Sequence, residues 1–294
     1  MLVTGEPPQP STPPLTEEAL TDEVIARVQA TPDARLREVM IALVRHLHAF
    51  AKEVRLTDAE WLAGIRFLTE TGQMCDDTRQ EFVLLSDTLG LSSLIDLINH
   101  ADASSTATEP TILGPFYVLD SPEREYGASM VEFDDGGEPV VLHGAVRDEE
   151  GTPVPGAVLD LWQNAANGSY AVQQPGVQPA TNLRGRYRAD DAGRYEVRTV
   201  RPVPYSIPAD GPVGRLVADT GRHPWRAAHI HAKVTAPGFE ALTTHVFDCD
   251  SAYLDSDTVF GVKQSLIKDF VAQADGTLRC EHDFVLRRLD GPPG

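Results

Sequence analysis

Two hydrophobic rhythms divide the chain. Over roughly 21–101, apolar residues recur every three or four positions, as Leu36, Met40, Leu43, Val44, Leu47 and Ala51 do, which predicts amphipathic helices with one buried stripe. Thr31-Pro32 offers a cap residue followed by proline at the first helical position. Thr57-Asp58-Ala59-Glu60 has the form of a capping box ahead of Trp61, Ile65 and Phe67. A third helix is expected over Asp77 to Leu89, passing through Gly90 into a fourth from Leu91 to His100. The polar run from Ala101 to Thr108 ends this rhythm, and glycine, proline and β-branched residues dominate beyond it.

There the period becomes two. Strands are expected at Val140–Val146, Gly156–Trp162, Ala228–Thr235, Leu242–Phe247 and Phe284–Leu289. Arg186-Tyr187-Arg188 and Tyr195-Glu196-Val197-Arg198 flank Asp190-Asp191-Ala192-Gly193, which reads as a hairpin turn. Short strands at regular spacing predict an α+β chain that is mainly β, with an antiparallel β-sandwich following an all-helical segment. The expected boundaries are a disordered Pro- and Thr-rich arm at 1–20, the helical segment at 21–105 and the sandwich at 106–294.

Charge narrows the function classes. A formal net charge of −19 with no basic cluster argues against nucleic acid or an anionic membrane as partner. Three separated cysteines, Cys75, Cys249 and Cys280, suit neither a disulfide framework nor a Cys-x-x-Cys zinc site, so a reducing cytoplasm is expected. The N-terminal residues show no secretory signal pattern, and no apolar run approaches membrane-spanning length.

Candidate chemistry begins at Arg226-Ala227-Ala228-His229-Ile230-His231. Histidines at i and i+2 of a strand project from one face, where a single metal ion can join two neutral imidazoles. Ile230 and Ala232 then fall on the other face. Read without further context, the same pair serves equally as one core and one surface histidine. Tyr170, after Ala165-Ala166-Asn167-Gly168, and Tyr205, between Pro204 and Ile207-Pro208, are loop tyrosines that can be aimed into a site. Tyr187 and Tyr195 read as packed strand residues, while Tyr117, Tyr126 and Tyr253 lack a loop of that kind.

The order of these segments, a loop tyrosine, a second tyrosine before Pro208-Ala209-Asp210-Gly211-Pro212, then Arg226-x-x-His229-x-His231, resembles the intradiol ring-cleaving dioxygenases over roughly 84–266. That resemblance implies Fe(III) held by Tyr170, Tyr205, His229 and His231, a hard anionic phenolate pair and two imidazoles that suit trivalent iron. It implies that Arg226 stands beside an anionic aromatic substrate and that Tyr205 leaves the metal to take a substrate proton. The family's substrate wall falls on Leu84, Asp87, Ile112, Leu113, Gly114, Pro115, Phe116, Ile207, Pro208, His245 and Val259. Read alone, Leu113 and Phe116 are core residues, Asp87 a helix-surface charge and Arg226 a solvated cation. The resemblance further implies that the helical segment joins two subunits as a homodimer and can hold a phospholipid between its helices, although nothing in the residue pattern itself points to the lipid.

Within the family, the segments 204–214 and 221–226, and His245 where catechol-type members usually carry glutamine, resemble the branch that opens hydroxyquinol (benzene-1,2,4-triol) with O2. The implied product is 3-hydroxy-cis,cis-muconate, which tautomerises to maleylacetate. Catechol or a chlorocatechol is the alternative substrate. Two readings compete from other classes: a zinc hydrolase or lyase using His229, His231 and His245, and a noncatalytic binding sandwich.

Overall fold

The computed structural model describes residues 15–76, 79–100, 104–133 and 136–289. Most of the expected N-terminal arm lies outside these residues, as does the start of the third expected helix at Asp77. The chain divides into two compact units, Met1–Leu68 and Thr69–Gly294.

The first unit is helical. Helix α1, Glu17–Val28, starts where the Thr16 side chain accepts from the Ala19 N–H, with Glu17 and Glu18 in its first turn. Residues 17–20, expected to be disordered, are therefore helix. Helix α2, Ala34–Glu53, is capped by Asp33, whose carboxylate accepts from Leu36 N at 2.6 Å. The cap is Asp33 and not Thr31, because a carboxylate next to the first turn satisfies an orphan donor that Thr31, two residues too early, cannot reach. Helix α3, Asp58–Gln73, opens with the expected box: Thr57 N donates to Glu60 Oε2 at 2.9 Å and Glu60 N to Thr57 Oγ1 at 3.3 Å. Along α2, Leu36, Val39, Leu43, Leu47 and Phe50 form one stripe at three- and four-residue spacing, each between 45 and 58% exposed.

The second unit opens with helices α4, Glu81–Thr88, and α5, Leu91–Asn99. Twelve strands follow among the described residues: β1 Pro139–Asp148, β2 Val158–Trp162, β3 Arg184–Arg188, β4 Arg194–Val200, β5 Tyr205–Ser206, β6 Trp225–Arg226, β7 His229–Thr235, β8 Leu242–Asp248, β9 Ile267–Lys268, β10 Val271–Ala272, β11 Leu278–Glu281 and β12 Phe284–Leu286. One sheet runs β10-β11-β1-β12 with β4 also on β1, and the other runs β3-β2-β7-β8-β9. Leu142 and Val146 of β1, Val197 of β4 and Phe284 of β12 meet Leu159 and Leu161 of β2, Ile230, Ala232 and Val234 of β7 and Val246 of β8 in one core. This is a sandwich, and the fold class is the expected mainly β one with a helical N-terminal region.

Three details depart from expectation. The sheets are mixed, since β1 pairs in parallel with β11 and β12, and β8 with β9. The Asp190–Gly193 turn does not close a hairpin: β3 pairs with β2, and β4 pairs with β1 in the other sheet. Turn chemistry is satisfied locally, with Asp190 Oδ1 accepting from Ala192 N and Arg194 N, but local bonds cannot choose the partner sheet. The Asp210-Gly211-Pro212 turn opens an unforeseen helix, α6, Pro212–Asp219, with proline in its first turn. The Glu81 carboxylate accepts from Val213 N at 3.2 Å, and Arg79 bridges Glu81 and Asp210, which ties α4 to the segment between Tyr205 and α6.

Candidate metal centre

Strand parity builds the site. Ile230, Ala232 and Val234 face the core, so His229 and His231 face outward from the β2-β7-β8 sheet. The register sets Trp162 of β2 and His245 of β8 on either side of His231. Trp162 stacks on the His231 ring at 4.6 Å and 10°, fixing its plane, and His245 lies 4.2 Å from it, centroid to centroid. All of these rings are buried.

The two tyrosines arrive from different kinds of segment. The loop before Tyr170 closes on itself through Gly168 N to Ala165 O, 2.8 Å, and Ala165 N to Ser169 O, 3.0 Å. Gly168 sits at φ +81°, a conformation that a side chain would strain. The Gln173 side chain then accepts from Tyr170 N at 2.9 Å. Tyr205, expected in a loop, instead lies in the two-residue strand β5, paired directly with Arg226 of β6. Pairing by backbone bonds gives it a fixed aim.

The four expected ligands converge. His231 Nε2 is 3.1 Å from His229 Nε2 and 3.2 Å from Tyr170 Oη. Arg226 Nη1 is 3.2 Å from Tyr205 Oη and 3.3 Å from His229 Nε2. His229 Nδ1–H donates to Ala227 O at 2.6 Å, which leaves the Nε2 lone pair directed inward, the arrangement that a ligating imidazole requires.

Electrostatics favour a cation here. Burial, reinforced by Arg226, drives the His229 pKa well below its usual value, and burial with His229 and Arg226 does the same to His231. Both rings are neutral lone-pair donors. Burial, then Tyr205, pushes the Tyr170 phenol well above its ordinary range, with Arg226 opposing. A multivalent cation between these groups would reverse that preference and favour the phenolate.

Arg226, read alone as a solvated cation, is 2% exposed. Its Nε donates to Asp257 Oδ1 at 3.2 Å, and Asp257 Oδ2 accepts from Gly261 N at 2.9 Å. Desolvation works against the guanidinium, yet Asp257, Tyr205 and Tyr170 together hold its pKa above the ordinary value. Asp257 was missed by sequence reasoning, since a polar run such as Ser256-Asp257-Thr258 carries no periodic signal.

The expected substrate wall is partly assembled. A cavity of about 680 Å³ is lined by Asp87 from α4, Leu91 and Ile95 from α5, and Ile112, Leu113, Gly114 and Pro115. Gly114, at φ +73°, borders His231 so closely that a Cβ would lie 3.2 Å from its Cε1. Phe116 stacks on Tyr170 at 4.5 Å. Asp87 is buried, not a surface charge, and burial raises its pKa against the pull of Ser92 and Arg226. Leu113, in contrast, is 40% exposed and is not core, because it faces the open cavity. Leu84, Ile207 and Val259 are buried without lining this cavity; Ile207 N bonds Pro224 O beside the β5–β6 pair, and Val259 O accepts from Ser93 of α5. Pro208 also stands off the cavity lining, its carbonyl against Gly214 at the start of α6. His245 joins His229 and His231 in a group with one ligand nitrogen each within 4.8 Å. Asp248, Cys249 and Asp250 form another such group, but Arg201 already occupies it through bonds of 3.0 Å to Asp248 and 2.7 Å to Asp250.

The sequence matches two family models, "Dioxygenase" over residues 112–288 and "Catechol dioxygenase N terminus" over 33–107. It is 52% identical to a 6-chlorohydroxyquinol 1,2-dioxygenase of Cupriavidus pinatubonensis, covering 91% of this chain and 96% of that protein. It is 46% identical to a hydroxyquinol 1,2-dioxygenase of a Rhizobium species, over 92% of this chain and 96% of the relative. Among solved structures, hydroxyquinol 1,2-dioxygenase from Pseudomonas putida superposes with a TM-score of 0.86 at 46% identity, over 93% of this chain and 99% of the other.

Proposed function

The chain belongs to the intradiol ring-cleaving dioxygenases, and from that premise we propose that it opens hydroxyquinol with O2, using Fe(III) held by Tyr170, Tyr205, His229 and His231. The approach of His229 Nε2 and the Tyr170 phenol to within 3.2 Å of His231 Nε2, with Tyr205 beside them, carries the assignment. Neutral, lone-pair-bearing histidines and buried phenols fit hard trivalent iron. When bound, that ion supplies Lewis acidity and a redox partner to the two vicinal hydroxyls of the substrate.

The protein's own groups do the rest. Tyr205 accepts a substrate proton at Oη, and Arg226 Nη1, 3.2 Å away, steadies the charge on that oxygen and on the deprotonated ring. Phe116 and Gly114 bring an apolar wall against Tyr170 and His231 that excludes water and admits a flat ring. Both oxygen atoms of O2 end in the product, 3-hydroxy-cis,cis-muconate, which tautomerises to maleylacetate.

Catechol and chlorocatechols rank behind hydroxyquinol, because the relatives at 46–52% identity are named for hydroxyquinols. The zinc hydrolase built on His229, His231 and His245 leaves two buried tyrosines aimed at the same point without a role, and the binding sandwich leaves all of them without one. Oxygen uptake with hydroxyquinol, 6-chlorohydroxyquinol and catechol, with iron measured in parallel, tests the assignment. A red-brown protein with one iron per chain and fastest uptake on a hydroxyquinol is expected. Colourless, zinc-loaded protein with no uptake would overturn it.

The helical stripe of α2 supports a homodimer formed through the N-terminal helices, and its apolar character is compatible with a phospholipid held there. The division into a helical dimerisation segment and a catalytic sandwich near 105/106 is supported by the two family matches, which meet between 107 and 112. Among the described residues no helix is long and apolar enough to cross a membrane. The three free cysteines support a cytoplasmic location.

A further inference from the structure

His245 is buried beside both histidine ligands, but its Nδ1 is turned to a group outside the ligand set, the Thr111 hydroxyl, at 2.5 Å. Thr111 has little freedom. Its N–H donates to Thr243 O at 2.8 Å, Glu109 O accepts from Thr244 Oγ1 at 2.7 Å, and Pro110 O accepts from Lys263 Nζ at 2.7 Å. The backbone on both sides of Thr111 is thus pinned to β8 and to Lys263. His245 Nε2 is buried and has no protein partner.

Two hydrogen placements are available. If His245 Nδ1–H donates to Thr111, the threonine proton has no protein acceptor, and the Nε2 lone pair is idle as well. If Thr111 O–H donates to Nδ1, the threonine proton and Nδ1 are both satisfied, and the sole unmet group is an Nε2–H donor. Buried polar groups favour the arrangement with fewer unmet members. An imidazole with hydrogen on Nε2 cannot give that nitrogen to a metal.

We propose that Thr111 is a positioning residue that fixes His245 as an Nε2–H donor, which binds an oxygen of the substrate and is not a fourth nitrogen for the metal. The proposal rests on the ring-cleaving function proposed above. It gives the position its chemistry: a rigid donor whose aim is set from the 109–111 segment, the same segment that leads into Gly114 and Phe116 of the substrate wall. An oxygen-rich ring gains from such a donor, and a ring lacking that oxygen leaves it unmet.

The test uses the full iron-loaded chain and four variants: Thr111→Val, Thr111→Ser, His245→Gln and the double variant Thr111→Val/His245→Gln. Anaerobic titration gives the hydroxyquinol Kd, and the resting visible band and iron per chain report the metal. Thr111→Val is expected to raise Kd about tenfold, with the resting band and iron content unchanged, and Thr111→Ser to restore binding. Glutamine carries its own donor without threonine's help, so Thr111→Val should add nothing in the His245→Gln background. Unaltered Kd in Thr111→Val, a shifted resting band, lost iron, or an equal loss in the glutamine background would each overturn the proposal. A wild-type chain that takes up no oxygen removes the proposed function itself, whereas an active wild type with Thr111-independent binding removes this inference alone.

Discussion

Arg226 and Asp257 form an ion pair in which both side chains are 2% exposed, with Nε to Oδ1 at 3.2 Å. A charge this deeply buried is tolerated only with a partner, and the pair leaves the other end of the guanidinium directed at Tyr205 and His229. Asp257→Asn keeps the acceptor oxygen and removes the countercharge. Urea unfolding is expected to show a loss of about 3 kcal/mol, accompanied by a fall in kcat/KM. Unchanged stability would mean that the guanidinium is compensated elsewhere.

Gly114 has φ +73° and no room for a side chain beside His231. Gly114→Ala is expected to strain the backbone by about 1 kcal/mol and to push on the His231 ring. The visible band and KM should change more than the melting temperature does. An alanine variant with the wild-type spectrum and KM would show that the wall yields freely.

His282 is buried against Phe284, and neither ring nitrogen has a partner. Burial, aided by Lys268, lowers its pKa from 6.5 to about 4. Between those values the unfolded chain binds more protons than the folded one, so stability falls as pH drops through this window. Stability is fully present above pH 6.5, and the loss amounts to about 3 kcal/mol by the lower end of the window. Melting curves from pH 7 to 4 should show a shallower acid slope in His282→Leu than in wild type; identical slopes would exclude the histidine as the cause.

Leu43 and Leu47 lie in the middle of the exposed apolar stripe of α2. Leu43→Glu/Leu47→Glu should leave the helix formed, since both sites face solvent in the single chain, and should shift sedimentation from dimer to monomer. Sedimentation as a dimer despite both charges would place the subunit contact elsewhere.

Periodicity was enough to read helices α2 to α5, the main strands and the outward pairing of His229 with His231, because side-chain direction in a strand follows residue parity alone. The capping box at Thr57 was equally local, whereas the choice of Asp33 over Thr31 turned on which oxygen reaches the first turn. The Asp190 turn shows where local information stops. Its bonds are those of a tight turn whether the next strand stays in the sheet or crosses to the other.

The sequence by itself determined the element types, the candidate ligands and, through the order of its motifs, the family. Only the tertiary structure decided that Tyr170 meets His231, that Asp257 neutralises Arg226 and that Thr111 holds His245. Those partners are separated by 61, 31 and 134 positions along the chain. Contacts at that range leave no period in the sequence, because they arise from sheet register and loop closure and not from the repeat of any single element.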